Sequence, residues 1–545
     1  DFALSGIYSL TNKPSQLTAK LTDFNENGLR PFLESALAGR KLVSVAVDGT
    51  ASAQRNPDGD SAVKADLQVT NLVVNDPAQQ LPATPLEARV QLDAGLAKQI
   101  ADVRDLQITL TPTQRAKNQF QLQGRVDMSR TNAMQGNLKL TADSLDLTSY
   151  YDLFTSTNKS SAKPGARNKT QGGAVTPAPE QATAAVTNQL PFKKFTVDAN
   201  VREFYLREIA ATNFQTTVLV DGSHVLMKPF QLTVNGSPLR ATADVDMSVP
   251  GYKYALTFNA TNVPFAPLWN TFKPDQKGEA SGTLSANMDV KGVGTTGESL
   301  QKTLAGNFDI GTTNLNLDVS KIHSKTLRDI VEFVANVPDF FGPNGISAVE
   351  KFGVRAVGRS VGKPSGGLSD DVSRSPIDVI TARGTAGDGR VTVQQAVMRS
   401  SVFEADVTNG TVKLAQELTN SPINFPVSIY LNKSVAQRVP YLSSANASTN
   451  SDYVKIPDVY VEKGTLGEPK PSINTKALGK DVLQQLIPGV GGGTNSSGNL
   501  LQGLGGLLHG GSNTNQPAPN QIGTNPPPAN NQSPVNNLMN RFLGK

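Results

Sequence analysis

The sequence has no cysteine among its 545 residues and only three histidines, at positions 224, 323 and 509. Without cysteine, disulfides, thiolate metal sites, iron–sulfur clusters and cysteine nucleophiles are excluded. The histidines are too far apart in sequence to put two metal ligands on one helical face, as an HExxH pattern would. We therefore predict a protein that has no metal, no cofactor and no enzymatic activity.

Charge is scarce as well: 18% of the residues are Asp, Glu, Lys or Arg, against about 25% in an average soluble domain. The 51 basic and 46 acidic residues leave a net charge of +5. This is a weak field for a chain of this length and argues against a nucleic-acid partner. No run of 18 or more apolar residues occurs, so no bilayer-spanning helix is predicted. At 38% hydrophobic residues, the chain can nevertheless bury a core.

What the sequence does contain is alternation with a period of two residues. Between Ser281 and Val290, the side chains of Leu284, Ala286 and Met288 point to one side and polar residues to the other, which predicts a strand wet on one face. The same pattern recurs along the chain. The apolar positions that it places on one side of the strands, and that we take as candidate site residues, are Phe195, Val197, Val201, Leu232, Leu256, Phe258, Leu284, Met288, Phe308, Ile310, Leu315 and Leu317.

Short turn signals separate the alternating segments. Residues that tolerate positive φ suit tight hairpin connections, so sequential antiparallel hairpins are the simplest arrangement. At roughly 12 residues per strand and turn, about 400 residues would give about 33 strands, a sheet on the order of 100 Å long. The turn signals are Asp48-Gly49, Asp58-Gly59, Asp221-Gly222, Asn235-Gly236, Asp388-Gly389 and Asn409-Gly410.

Three segments change to the helical period. One runs from Leu29 to Leu37, before Gly39; a second follows a capping Ser324 and stops at Pro338; a third covers residues 481–487. We expect such short amphipathic helices to lie on the sheet or to close its open end.

Composition also divides the chain. Residues 155–190 are rich in Ser, Ala, Thr, Pro and Gly and are typical of a flexible linker. Residues 489–545 are rich in Gly, Asn and Pro and nearly free of charge, which predicts disorder. The expected organisation is a β segment over 1–154, the linker, a second β region over 191–475 with a long loop at 342–376, a short helix at 476–488, and the tail.

A weak internal repeat is present. The tetrapeptide Val-Asp-Met-Ser occurs at residues 126–129 and again at 245–248, 119 positions later. Downstream of each copy, paired apolar positions lead to Asp143-Ser144-Leu145 and to Thr261-Asn262-Val263, and Thr70-Asn71-Leu72 is similar. The repeat is consistent with a repetitive sheet whose units contact mainly their neighbours.

Several segments resemble a known family when taken in order. They are residues 143–150 before the linker, Leu190-Pro191-Phe192 after it, residues 278–284, 290–296 and 299–306, and the strands within 384–414 and 461–470. In sequence and spacing this series resembles the AsmA family of bacterial envelope proteins over roughly residues 1–471. Two departures are the Asn235-Gly236-Ser237 hairpin, where relatives often carry a Gly-Gly pair, and an expanded loop at 342–376.

The resemblance implies a mostly β fold: an elongated, curled antiparallel sheet with an apolar concave side, similar to bridge-like lipid-transfer proteins. It implies a periplasmic protein anchored in the inner membrane, whose partners are phospholipid or another envelope lipid and, in addition, outer-membrane components. The twelve apolar positions would then line a lipid groove. Because the chain begins at Asp1 within an alternating segment, we expect an N-terminal part with the membrane anchor to precede it.

Other functions stay open at this point. Low charge with many Thr, Asn and Gly residues also suits a secreted adhesin or glycan-binding protein, although regular short repeats are absent. An assembly factor that binds outer-membrane proteins through its sheet edges is a further alternative.

Three local patterns could suggest chemistry. Ser223-His224 next to Asp221 is expected to be a hairpin tip, because no GxSxG elbow surrounds it. The glycine runs at 491–493 and 505–506 lack the lysine of a phosphate-binding loop. Asp370-Asp371 is expected to be a solvated loop pair rather than a metal site.

Overall fold

The computed structural model of the chain describes residues 1–9, 13–33, 37, 41–75, 85–154, 190–294, 296–318, 324–337, 368–439, 442 and 452–473. The predicted helix at 476–488, the tail at 489–545, both glycine runs and almost all of the 155–190 linker lie outside these residues.

One sheet of 22 strands dominates the described residues, which confirms the mostly β fold. The strands are β1 (Phe2–Ile7), β2 (Ser15–Asn25), β3 (Leu42–Arg55), β4 (Ser61–Val74), β5 (Leu86–Ala97), β6 (Ile100–Leu110), β7 (Gln119–Asp127), β8 (Met134–Asp146), β9 (Phe192–Leu206), β10 (Ile209–Asp221), β11 (His224–Val234), β12 (Ser237–Asp246), β13 (Lys253–Pro264), β14 (Ala280–Val293), β15 (Ala305–Leu317), β16 (Ile377–Gly387), β17 (Arg390–Ser400), β18 (Phe403–Lys413), β19 (Ile423–Asn432), β20 (Tyr453–Lys455), β21 (Tyr460–Gly464) and β22 (Pro469–Ile473).

The expected 33 strands are too many for the described part of the chain, because most strands have 10 to 15 residues and the hairpin turns add to that length. The sheet is nevertheless as long as expected. From β1 to β22, about 20 steps of ~4.8 Å give a length of about 100 Å.

Strands pair in chain order from β1 to β19, after which β20 and β21 both pair with β19, and β22 pairs with β21. All pairs but one are antiparallel. The exception corrects the expectation of hairpins throughout: β8 and β9 run parallel, with Leu138 opposite Val197 and Leu140 opposite Ala199. A parallel pair needs a crossover rather than a tight turn, and the connection from residue 147 to residue 191 is long enough for one. The strands before and after the predicted linker therefore belong to one continuous sheet. The division into two domains stays a prediction.

Recurrent bulges shift the alternation by one residue. Asn71 in β4 and Asn262 in β13 have positive φ values of 54° and 52°, and the strand register slips between Val69 and Leu72 and between Ala260 and Val263. Asn tolerates this left-handed conformation better than most residues. Without the bulge, the apolar residue after each Asn would point to the polar face. The one-residue shift keeps it on the apolar face, which explains the repeated Thr-Asn-apolar pattern.

The repeated tetrapeptide also adopts one structure twice. At the end of β7, Asp127 Oδ1 accepts a hydrogen bond from the Ser129 N–H at 2.9 Å, and at the end of β12, Asp246 Oδ1 accepts one from the Ser248 N–H at 2.9 Å. Both are turns in which the Asp side chain bonds the backbone two residues on. The sequence repeat therefore marks equivalent positions at the margin of the sheet.

Four of the six predicted turns are confirmed. Residues 58–59, 221–222, 235–236 and 388–389 connect consecutive strands, and Asn235 and Asp388 have positive φ. The predictions for Asp48-Gly49 and Asn409-Gly410 are wrong, because these pairs lie inside β3 and β18. Asn409 has a φ of 54° at a register shift between Val407 and Thr411, so its signal is that of a bulge.

Short helices connect some of the strands. They are α1 (Glu26–Leu33), α2 (Thr148–Phe154), α3 (Phe265–Phe272), α4 (Gly297–Thr303), α5 (Lys325–Ala335), α6 (Leu368–Arg374) and α7 (Lys433–Ala436), with 3₁₀ turns at Pro274–Gln276 and Leu418–Asn420.

Two helix predictions are confirmed. The first helix begins at Glu26, three residues before the expected start. The second is α5, and Ser324 caps it by accepting a hydrogen bond from the Leu327 N–H. The loop predicted at 342–376 is wrong at its end, where α6 forms. Asp371 lies in α6 and pairs with Arg438 at 2.5 Å, so this Asp is part of a solvent-accessible ion pair on a helix rather than of a loop.

All helices except α4 lie at one margin of the sheet, the margin at which β2, β8, β13 and β15 end; we call it the helical margin. Two main clusters of buried side chains form there. One packs beneath α1 and α2 around Leu37, Leu42 and Leu153. The other packs beneath α5, α6 and α7 around Phe333, Phe403 and Leu431. The core therefore follows one margin and the C-terminal part of the sheet.

Candidate functional site

The strand register places apolar side chains of neighbouring strands directly opposite one another. One row crosses β12 to β16 through Ala241, Phe258, Met288, Phe308 and Gly384. Paired residues share a face of the sheet. The period-two pattern of each strand thus adds up across strands to one continuous apolar face.

The same face extends toward the N-terminus. A second row runs from β4 to β8 through Leu67, Val90, Ile108, Phe120 and Ala142. The parallel pair carries the row into β9, where Ala142 lies opposite Val201. The apolar face therefore continues across the parallel pair.

All twelve predicted site residues lie on this face, as the pairing of β9 to β16 shows. Four of them are covered by protein: Phe195, Val201, Leu315 and Leu317 are buried, and the last two belong to the core beneath α5. They are packing residues in this structure. The other eight stay partly accessible, and they are Val197, Leu232, Leu256, Phe258, Leu284, Met288, Phe308 and Ile310.

The accessible part of the face forms a band next to the buried residues of the helical margin. We call this band the apolar strip. Along β13 it includes Tyr254, Leu256 and Phe258, whereas Ala260 and Val263 are buried near α3. Four residue steps at ~3.3 Å make this part about 13 Å wide, against a sheet length of about 100 Å. The three side chains are partly accessible to solvent there.

The predicted site residues lie between Phe195 and Leu317, but the strip continues beyond them toward both the N-terminus and the C-terminus. Leu67 and Leu96 on β4 and β5 are each 38% exposed, and Val391 and Val393 continue the face on β17. The alternation of Val63, Ala65 and Leu67 was a usable signal. Alanine and glycine at several positions of the face weaken the contrast between the two sides of a strand, so the pattern is harder to detect there.

The opposite face is polar. On β14 and β15, Asn287 lies opposite Asp309 and Asp289 opposite Asn307, and all four are exposed. Thr257 on β13 lies opposite Asp289. Uncharged polar residues make up much of this face, in agreement with the low overall charge.

The polar face also carries a shallow depression of about 420 Å³ over β2 to β6, lined by Lys64, Asp66 and Asp93 among others. Arg89 pairs with Asp66 at 2.5 Å and Lys64 with Asp93 at 3.3 Å. Hydrogen bonds from Arg89 and from Arg104 hold the pKa values of Asp66 and Asp93 below their usual range. Because these carboxylates are already paired with cations, the depression is a weak candidate for an ion site.

No group of three or more His, Asp or Glu suited to a metal ion occurs within the described residues. His224 opens β11 directly after the turn at residues 221–223, as expected, and its Nε2 lies 2.6 Å from Asp244 Oδ1. None of the helices that the structure describes is long and apolar enough to cross a membrane.

Comparison with protein families gives one match. The model of the AsmA family matches residues 57–321, which includes β4 to β15, the parallel pair and the central part of the apolar strip. Residues 57–321 of this chain belong to the AsmA family. The family resemblance noted in its sequence is thereby confirmed, and membership makes it an envelope-related protein. The segments at 384–414 and 461–470 lie outside the match. Searches of curated proteins and of solved structures gave no match.

Proposed function

We propose that this AsmA-family protein binds the acyl chains of phospholipid or another envelope lipid along its apolar strip. By doing so it would support lipid transport or outer-membrane biogenesis across the periplasm. Periplasmic location, an inner-membrane anchor and outer-membrane partners belong to the same proposal. The observation that carries it is the continuous strip of apolar side chains, in register over most of the sheet and open to solvent.

The energetics favour an apolar ligand. Monomeric soluble proteins rarely expose apolar patches larger than a few hundred Å² unless they bind something there. From β4 to β17, strand steps of ~4.8 Å make the strip about 60 Å long, and it is about 13 Å wide. Exposing an acyl chain of about 16 methylenes to water costs about 13 kcal/mol at ~0.8 kcal/mol per methylene. A chain lying along the strip avoids most of that cost on one side.

The strip supplies a path rather than a driving force. Transfer from a bilayer to another apolar surface changes the free energy little, so no catalytic group is required. Partly accessible Val, Leu, Phe and Met side chains have no hydrogen-bonding groups that would select a headgroup. The headgroup would lie beyond the strip, in water.

Site-specific photocrosslinking tests the proposal. A benzoyl-phenylalanine placed at Met288 faces the apolar strip, whereas one placed at the adjacent Asp289 faces solvent on the other side. We expect lipid adducts from the first position and none from the second, together with lipid seen by native mass spectrometry of the purified chain. Equal labelling at both positions, or purification without lipid and without adducts, would contradict lipid binding.

A further inference from the structure

The C-terminal part of the apolar face is covered, unlike the strip. Helix α5 buries Ile330, Phe333 and Val334 against it. Beneath the helix the same face continues through Phe403, Ile429 and other residues that are fully buried. The sheet therefore presents one apolar face that is open over its central part and closed by a helix over its last strands.

A buried acid lies under this helix. Glu462 on β21 is fully buried and lies opposite Phe425 of β19, on the face that also carries Val427 and Tyr460. Tyr460 donates a hydrogen bond to Glu462 Oε2 at 2.5 Å. Glu462 Oε1 is also buried, and it has no hydrogen-bond partner within the described part of the chain.

Helix α5 contacts this pair directly. The ring of Phe333 lies 4.8 Å from the ring of Tyr460. Asp329, one turn before Phe333, faces Glu462, and its charge raises the pKa of Glu462. Lys325 lies 3.4 Å from Asp329 Oδ2 and donates a hydrogen bond to the Pro469 carbonyl of β22. The helix is thus joined to the last strands at a cluster of ionisable side chains.

The charged and titratable groups around Glu462 can be named for each packed element. Helix α5 contributes Lys325, which lowers the pKa of Glu462, and Asp329, which raises it; Glu332 acts on Tyr460. Opposite Glu462, β19 and β22 place Phe425 and Pro471, which do not titrate. Lys325 thus faces both carboxyl groups, and Arg328 of the same helix also acts on Asp329.

We propose that α5 is a lid over the C-terminal end of the apolar face, and that Glu462 holds it closed only while the carboxyl group is protonated. Ionised Glu462 would be a buried charge beside Asp329 with one oxygen unpaired, an arrangement that is strongly unfavourable. Moving α5 away exposes the carboxylate to water and uncovers the apolar residues beneath. This inference concerns the conformation of the chain and does not depend on lipid.

The expected direction follows from the two protonation states. Burial, with the contribution of Asp329, raises the pKa of Glu462 to about 7 in the closed state, whereas an open, solvated carboxyl would have a pKa near 4.3. Between these values the closed state holds one more proton than the open state. The ratio of open to closed lid should therefore rise about tenfold per pH unit, from about pH 4.5 to about pH 7, and level off above.

Hydrogen exchange of the full chain measures this directly. After correction for intrinsic exchange rates, amide protection of residues 325–335 should fall by about two orders of magnitude between pH 5 and pH 7.5, while that of β14 stays constant. Glu462→Gln removes the charge but keeps the shape, so its lid should stay protected at pH 7.5. Glu468→Gln, at an exposed position in the same β hairpin, should behave as the wild type.

Constant protection of α5 in the wild type over this pH range would overturn the lid. A pH response that persists in Glu462→Gln would assign the switch to another group and overturn the role of Glu462. If that variant does not fold, Asp329→Asn serves instead, and its transition should move to lower pH because the charge that raises the pKa of Glu462 is removed. Lipid is absent from these experiments, so their outcome is independent of the proposed function.

Discussion

Asp152 of α2 and Arg207, which follows β9, form an ion pair in which Arg207 Nη2 lies 2.6 Å from Asp152 Oδ1. Arg207 also donates to the carbonyl oxygen of Thr271 in α3 and stacks over the ring of Tyr151 at 5.5 Å. One guanidinium thus connects the crossover helix α2, the end of β9 and helix α3, which follows β13. The single parallel pair of the sheet is held at the helical margin by this side chain.

Replacing Asp152 by Ala should destabilise this region by about 2–3 kcal/mol, because it leaves a largely buried guanidinium without its counter-ion. Trp269 is the single tryptophan of the chain and lies in α3, two residues before Thr271, so its fluorescence reports on the same region. Urea unfolding followed at Trp269 measures the loss. Asp66→Ala is the matched control: it breaks an exposed ion pair on the polar face and should leave the Trp269 transition unchanged.

Acid should weaken the same margin through Asp146. Burial alone raises the pKa of this carboxyl, but hydrogen bonds from Thr148 and the pairing with Arg115 outweigh it, so the pKa lies below its ordinary value. A carboxyl with a depressed pKa in the folded state stabilises the protein above its unfolded pKa, near 3.9, and loses this contribution as the pH falls further.

The measurement is the urea midpoint of the Trp269 transition at pH 7, 5, 4 and 3. In Asp146→Asn, the midpoint should be lower at pH 7, and its decrease below pH 4 should be smaller than in the wild type. Asp143→Asn changes a more exposed carboxyl and should keep the wild-type pH profile. An equally steep acid loss in Asp146→Asn would assign that loss to other carboxyl groups.

The β-bulge at Asn262 should be sensitive to side-chain type. Its φ of 52° disfavours β-branched residues, so Asn262→Val should cost about 1–2 kcal/mol. Asn262→Gly accepts the same conformation and should cost much less. Both are measured by urea unfolding at Trp269, since α3 begins three residues later. Equal losses in the two variants would mean that the side-chain hydrogen bond with Ser285, not the backbone conformation, matters at this position.

These residues also show how far the sequence predicts the fold. The alternation around Leu256 and Met288 predicts both the strands and the face that each side chain occupies, because the period of a strand is a local property. The pattern at Thr261-Asn262-Val263 was visible as a repeat, but a local reading does not reveal that it is a bulge. A bulge is a shift of one strand relative to its neighbour, so it can be identified only when the pairing with the neighbouring strand is known.

The parallel pair was not predictable in the same way. Nothing in the residues of β8 or β9 specifies strand direction, and the linker composition at 155–190 allows either direction. The ion pair of Asp152 and Arg207 joins positions 55 residues apart, and the cluster around Glu462 joins α5 to β21 over more than 130 residues. Such contacts arise from tertiary packing, so the apolar strip could be predicted and the lid could not.

The two faces of β13 give the most direct test of the strip. Leu256 lies on the apolar face opposite Val290, and the next residue, Thr257, lies on the polar face opposite Asp289. Leu256→Asp places a charge in the path of an acyl chain, where it must be desolvated on contact with lipid, whereas Thr257→Asp places it in water. Because Leu256 is partly accessible, the charge stays hydrated in the lipid-free protein and both variants should fold.

Co-purifying lipid, measured by extraction and mass spectrometry, should fall several-fold in Leu256→Asp and match the wild type in Thr257→Asp. Equal lipid content in the two variants would exclude this part of the face as the lipid path.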